Sequence, residues 1–262
     1  MTPLGEIADA WPAGMLIAVG LFGLVIGSFL NVVIVRVPER RSLWRPRSGC
    51  PTCGAQLAWH DNVPVLSFLL LRGRCRSCRT PISWRYPIVE IGNAVALVSA
   101  AVAFGPTAEF IVAGALLAAL IVVVAIDLQH QLIPDVITIP GIVLGLLANL
   151  VTGHVSWLES VIGIVIAGGL FLTIIVASGG GMGGGDLKLG AMLGAFLGWK
   201  ALLFALFVAI VLGGMVAIAL LTLRLRGRKD PVPFGPFLAV GGAMGLFWGA
   251  RVFAWYAGGF GL

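Results

Sequence analysis

AEFIVAGALLAALIVVVAID, residues 108–127, carries one acidic residue near each end, Glu109 and Asp127, and no charge between them. As an α-helix rising about 1.5 Å per residue it would reach about 30 Å, the thickness of the hydrocarbon core of a bilayer. Runs of the same kind recur, and spans are predicted at 14–36, 84–104, 108–127, 133–152, 155–178, 187–198, 199–223 and 234–256. Apolar residues make up 59% of the 262 positions and charged residues 11%, too little charge to cover a soluble domain of this length. The fold class that follows is an all-α polytopic membrane protein with about eight transmembrane helices. No basic leader precedes the first apolar run, so a cleaved signal peptide is not expected.

Loop charge orients the spans. Ten of the 17 basic residues (Arg36, Arg40, Arg41, Arg45, Arg47, Arg72, Arg74, Arg76, Arg79, Arg85) fall between the first and second spans. The positive-inside rule makes that loop cytoplasmic and the N-terminus external. Counting crossings then brings the ends of the third and fifth spans inside, together with the cluster Arg224, Arg226, Arg228 and Lys229. Span 187–198 is short for a crossing; a re-entrant segment would put that cluster outside, so it is read as a short crossing shielded by its neighbours. The net charge of +6 needs no nucleic-acid partner, because these residues sit where topology wants them and can meet anionic headgroups of membrane lipid.

Three regions follow: residues 1–36, a tail and first helix; 37–83, a polar insertion rich in Arg, Pro and Cys; and 84–262, the remaining helices. Glycines inside spans, such as Gly163, Gly168 and Gly169, are expected to let helices approach closely. All four cysteines lie in the insertion, as Cys50-Pro-Thr-Cys53 and Cys75-Arg-Ser-Cys78. Each CxxC puts two thiolates on one tight turn, and two such turns suit tetrahedral zinc. Two disulfides or a redox pair are the alternatives, disfavoured by a reducing cytoplasmic location. Four thiolates leave no open position for water, so Cys50, Cys53, Cys75 and Cys78 point to a structural metal that supplies folding energy to an insertion with little core.

With only 11 acidic residues, each one near a span is informative. Asp61 falls in the insertion, where a solvated charge is the default, and Asp135 follows Pro134 in a first helical turn, a structural position. Glu90 lies one turn into the second span. Asp127 ends the third span and Asp186 opens the sixth, in GGGMGGGDLKLG (179–190), both on the cytoplasmic side by the same count. Two carboxylates meeting at one membrane face suit an aspartic peptidase, in which one activates water while its protonated partner polarises the scissile carbonyl. The alternatives are an N-cap for Asp186 and a headgroup-facing charge for Asp127. Gly179, Gly181 and Gly184 satisfy GxGxxG by count, but the run follows an apolar helix rather than a strand and lacks the GK[ST] ending of a P-loop.

These residues together resemble the bacterial type IV prepilin peptidases, GxGD aspartic peptidases that combine leader cleavage with N-methylation. GSFLNVVIVRVP (27–38), CPTC, WHDNVPVLSF, LRGRCRSC, ISWRYPIVE, AIDLQHQLIPD (125–135), GGGD (183–186) and PVPFGPFLAVGG (231–242) occur in the family's order, covering nearly the whole chain. The resemblance implies catalytic roles for Asp127 and Asp186. It implies cleavage of prepilin or pseudopilin precursors at the cytoplasmic side of the inner membrane, after a glycine that precedes a hydrophobic helix. It also implies methylation of the new amine from S-adenosylmethionine, an activity tied to the cytoplasmic loop, with Gly73 and Glu90 as the cofactor-binding candidates. The stretch between the first span and Cys50 is shorter than in some relatives. Two other classes remain: an ion-coupled transporter using Asp127 and Asp186, for which inverted repeats are missing, and a non-catalytic zinc-stabilised assembly scaffold.

Overall fold

The structure, a computed structural model, describes residues 12–45, 47–179, 182–225, 227 and 232–259. Gly181, Arg226, Arg228 and Lys229 lie outside the described residues, as do parts of the segments 179–190 and 231–242. The described residues form the α-helices α1 (Ala13–Arg36), the short α2 (Leu66–Leu70), α3 (Arg85–Phe104), α4 (Ala108–His130), α5 (Asp135–Thr152), α6 (Trp157–Ala177), α7 (Gly184–Thr222), α8 (Gly235–Met244) and α9 (Ala250–Gly259), with turns, a 3-10 turn (Trp59–Asn62) and two isolated β-bridges in the insertion. A π-helical turn, Gly245–Gly249, joins the last two. Among the described residues seven helices are long and apolar enough to cross a membrane, the stretch Gly235–Gly259 counting as one.

The spans predicted at 187–198 and 199–223 run together as α7, 39 residues long. At about 1.5 Å per residue such a helix would far exceed the hydrocarbon core if straight. It is not straight: Gly198, at φ 68° and ψ 169°, leaves helical geometry and kinks the chain. A side chain at that φ would be strained, and a Cβ would also lie 2.6 Å from Val155 Cγ1. Ahead of the kink, every residue from Leu189 to Ala195 is buried. A helix buried round its whole circumference is surrounded by protein rather than lipid, which is the shielding a short segment needs.

The chain divides into two compact units, Met1–Val122 and Val123–Leu262. In the first, α1 and α3 run antiparallel with glycine at the contact: a Cβ on Gly23 would stand 2.6 Å from Ala94 Cα, and one on Gly27 2.6 Å from Glu90 Cα. Lipid tails give helices no hydrophobic reason to pair, so close backbone approach and interhelical hydrogen bonds carry the association. Asn31 Nδ2 donates to Tyr86 O at 3.1 Å and Asn93 Nδ2 to Gly23 O at 2.8 Å.

In the second unit α7 is the hub. Gly163 of α6 and Gly194 of α7 meet backbone to backbone, and a Cβ on Gly163 would come within 2.7 Å of Gly194 O. On another side of α7, Gly141 and Gly145 of α5 face Met192 and Ala195. Further along, Gly241, Gly245 and Gly249 face Ala201 and Ala205. Asn149, buried on α5, ties the three helices together by donating to Ser160 Oγ (2.9 Å), Ala195 O (2.9 Å) and Phe196 O (3.2 Å). The packing role expected of glycines in the spans holds at Gly163. It fails at Gly168 and Gly169, where none of the described residues comes within 4 Å of an added Cβ, so neither glycine is needed for a close helix contact.

Candidate active site

Asp127 sits in the last turn of α4, which continues past the apolar run to His130, and Asp186 in the first turn of α7. Neither takes its alternative role. Asp127 is 4% exposed, so it does not face headgroups. Gly183 is the N-cap of α7, placing Asp186 three residues inside the helix, and no side chain caps the end. Both belong to the second unit, and one residue, Ile133, packs against both Gly185, next to Asp186, and Gly235, which touches Asp127. Each has one buried oxygen with no hydrogen-bond partner, Oδ2 of Asp127 and Oδ1 of Asp186. A structural aspartate in an apolar interior would have its oxygens satisfied, because an unpaired buried acceptor costs about 1–3 kcal/mol. Two open carboxylate oxygens at one place can instead bind a water and a peptide carbonyl.

Three backbone segments converge on the pair. The first is the linker after α4, whose Ile133 is buried. The second is the GGGD turn: Gly185, beside Asp186, rests on Ile133, and a Cβ there would lie 2.9 Å from Ile133 Cβ. The third is the start of α8, where the Gly235 backbone lies against the Asp127 carboxylate. A Cβ on Gly235 would stand 2.5 Å from Asp127 Oδ2 and 3.2 Å from Ile133 Cδ1. Ile133 and Gly235 were not singled out from sequence; an isoleucine and a glycine among 37 glycines carry no charge or spacing that would mark them. At the rim, Lys188 Nζ grips both oxygens of Asp135 at 2.7 Å, so the structural role read for Asp135 is a link between the starts of α5 and α7.

The cysteines gather in the first unit. Their four Sγ atoms all lie within 4.8 Å of one another, and the thiols are free rather than disulfide-bonded. The two knuckles are copies of one turn. Cys50 N–H donates to Ala55 O and Gly54 N–H to Cys50 O, both at 2.9 Å; Cys75 N–H donates to Thr80 O at 2.9 Å and Arg79 N–H to Cys75 O at 3.0 Å. Gly54 (φ 70°) and Arg79 (φ 61°) occupy the same left-handed position after the second cysteine. Zn–S bonds of about 2.3 Å set tetrahedral S···S edges of about 3.8 Å. Cys50 and Cys78 are already 3.7 Å apart. The free thiols titrate unequally, Thr80 bringing Cys78 down to about 6 while the neighbouring thiols push Cys53 up to about 11.

Asp61 is not the solvated charge expected of it. Its side chain is largely covered, and Arg76, inside the second knuckle, bonds it through Nε at 2.9 and 3.1 Å and through Nη2 at 2.5 Å. That guanidinium holds the Asp61 carboxyl below the usual carboxylate range.

Gly73 and Glu90, the cofactor-binding candidates, lie at opposite ends of a short structural chain. Glu90 is buried on α3, and its Oε2 accepts the Val65 N–H at 2.7 Å. Val65 has φ 59°, a strained conformation for a β-branched residue, and it leads directly into α2. Phe68 of α2 covers Gly73, whose φ of 65° and 3.1 Å Cβ clearance from Phe68 Cζ favour glycine.

Residues 21–104 match the bacterial peptidase A24 N-terminal domain, and residues 114–218 match the type IV leader peptidase family. A prepilin leader peptidase/N-methyltransferase of Burkholderia pseudomallei (strain 1026b) is 43% identical, over 94% of this chain and 90% of its own. Proteins of the same name from Aeromonas hydrophila and Legionella pneumophila are 40% and 37% identical, covering 98% and 95% of this chain and 98% and 96% of theirs. No solved structure matches the chain.

Proposed function

This chain belongs to the type IV leader peptidase family, and we propose that Asp127 and Asp186 are the carboxylates with which it cleaves prepilin-like precursors. It is an enzyme with peptidase and N-methyltransferase activity. The observation that carries the catalytic assignment is the pair of buried carboxylates from two helices, each with an unpartnered oxygen. A catalytic carboxylate pair of this kind works with one proton between its two members, because ionising both in a poorly solvated site is costly. The ionised member takes a proton from water as the water oxygen attacks the carbonyl carbon of the leader's terminal glycine. The protonated member gives its proton to the carbonyl oxygen. Collapse of the tetrahedral intermediate breaks the C–N bond: the departing amine takes the proton held by one aspartate, and a hydroxyl of the intermediate returns one to the other, restoring the dyad. The pair acts as one titrating unit, so neither aspartate is assigned a fixed role.

Cleavage takes place at the cytoplasmic face of the inner membrane, by the distribution of arginines around residues 36–85. The freed α-amine is then methylated, S-adenosylmethionine supplying the methyl group. Gly73 and Glu90 are the residues proposed to serve that step, Gly73 by letting the backbone come close to a ligand and Glu90 by its carboxylate. The four cysteines hold a structural Zn2+, for which their mutual distances and free thiols are suited.

The test is co-expression with a type IV prepilin and mass spectrometry of the product. The wild type is expected to yield the shortened pilin with a methyl increment. Asp127→Asn and Asp186→Asn, inserted normally in the membrane, are expected to leave the precursor whole. Full cleavage by either variant removes the peptidase assignment from that aspartate and returns it to ion coupling or scaffolding.

A further inference from the structure

Nothing in the dyad's own chemistry explains why a third segment, the start of α8, should touch Asp127. Gly235 opens α8, and its missing side chain is what allows the contact: a Cβ would lie 2.5 Å from Asp127 Oδ2 and 3.1 Å from Cγ. Ile133 borders the same space, its Cδ1 3.2 Å from that Cβ position, and also supports Gly185, the residue before Asp186. One buried isoleucine thus rests against the two glycines adjoining the two aspartates. Asp127 itself is 4% exposed, with Oδ2 unpartnered and pointed at this junction.

We propose that Gly235 and Ile133 are positioning residues for the peptidase reaction, Gly235 setting the rotation of the Asp127 carboxylate and Ile133 setting the spacing between that carboxylate and the GGGD turn. The inference rests on the assignment of Asp127 and Asp186 as the catalytic pair. Its physical basis is the difference between what a new methyl would strike here and elsewhere. At Gly235 the nearest atoms belong to the end of one short side chain, which can rotate away by about 1 Å to reach ordinary contact. The helices therefore keep their places while the catalytic oxygen does not. A displacement of about 1 Å in a reacting group can cost about 100-fold in rate.

Gly242, on the same helix, provides the comparison. A Cβ there would lie equally close, 2.5 Å, to Leu193 Cδ2, a fully buried core side chain that takes no part in the dyad. Gly235→Ala and Gly242→Ala thus introduce the same overlap at one end of α8 and seven residues along it. The experiment measures kcat and KM for cleavage of a full-length type IV prepilin in detergent, and thermal unfolding of each purified variant. Gly235→Ala is expected to lower kcat about 10- to 100-fold with KM and Tm nearly unchanged. Gly242→Ala is expected to lower Tm and leave kcat at the wild-type value. Ile133→Val, which loses only Cδ1, is expected to lower kcat by less than Ile133→Ala, again without a matching change in KM.

A wild-type kcat for Gly235→Ala overturns the proposal, as does a fall in kcat that merely follows Tm in both α8 variants. Should Gly235→Ala fail to accumulate, wild-type kcat in Ile133→Val and Ile133→Ala overturns it as well. Asp127→Asn run alongside separates this outcome from failure of the catalytic assignment. If Asp127→Asn is inactive and Gly235→Ala fully active, the positioning inference falls alone; if Asp127→Asn cleaves, the assignment beneath it falls.

Discussion

Gly194→Ala tests the packing that carries Asp186. The added Cβ would meet the Gly163 carbonyl carbon, lie 2.6 Å from Gly163 O and stand 2.7 Å from Ile164 N. All three are backbone atoms, so no side-chain rotation relieves the overlap. Ordinary contact begins near 3.4 Å, and α6 and α7 must therefore part by close to 1 Å. A gap of about 0.5–1 Å forfeits a quarter to a half of each neighbouring dispersion contact. The affected contacts include Gly190 against Phe171 and Gly198 against Val155. Overpacking of this kind costs about 1–3 kcal/mol. Thermal unfolding in a detergent micelle, or steric trapping in a bilayer, measures it.

Gly163→Ala should cost a similar amount, because its Cβ meets Gly194 O at 2.7 Å. The double variant should cost less than the two single costs added, since helices already parted for one methyl have room for the second. Gly168→Ala, with nothing within 4 Å, should be neutral or slightly stabilising. The reasoning is refuted if Gly194→Ala unfolds with the wild type, if Gly168→Ala and Gly194→Ala behave alike, or if the double cycle is strictly additive.

Two further outcomes are expected. Removing the metal with a chelator, or replacing Cys75 by Ser, should make residues 37–83 susceptible to limited proteolysis and lower the zinc content of the purified protein, while α5–α8 remain protected; a protein purified without zinc that resists proteolysis equally well would contradict this. Asn149→Ala should destabilise the second unit by about 1–2 kcal/mol, near the upper end for interhelical hydrogen bonds in membranes, because it leaves Ala195 O and Phe196 O without their donor; steric trapping reads the loss, and an unchanged stability would show that other donors replace the amide.

Most of the architecture was legible in the amino-acid sequence, for a physical reason that applies to few soluble proteins. A bilayer demands long apolar helices with satisfied backbones, so hydropathy alone marks nearly every span, and apart from the junction inside α7 the spans observed begin and end within three residues of the predicted ones. The break between the sixth and seventh spans was visible too, because Gly198 lies where the predicted runs meet. Charge in such a chain is scarce, which is why Asp127, Asp186 and the four cysteines stood out, and why motif order identified the family. Only the tertiary structure could separate Gly163, pressed against another backbone, from Gly168 and Gly169, which touch nothing: a glycine's role depends on which face of its helix meets a neighbour. Asp61 likewise took its place from Arg76, fifteen residues away, and not from its loop. The same holds at the site itself. Sequence could nominate two aspartates 59 positions apart, but the wedge of Ile133 between Gly185 and Gly235 exists only once three distant segments have packed, because contact between neutral side chains and bare backbone leaves no pattern along the chain.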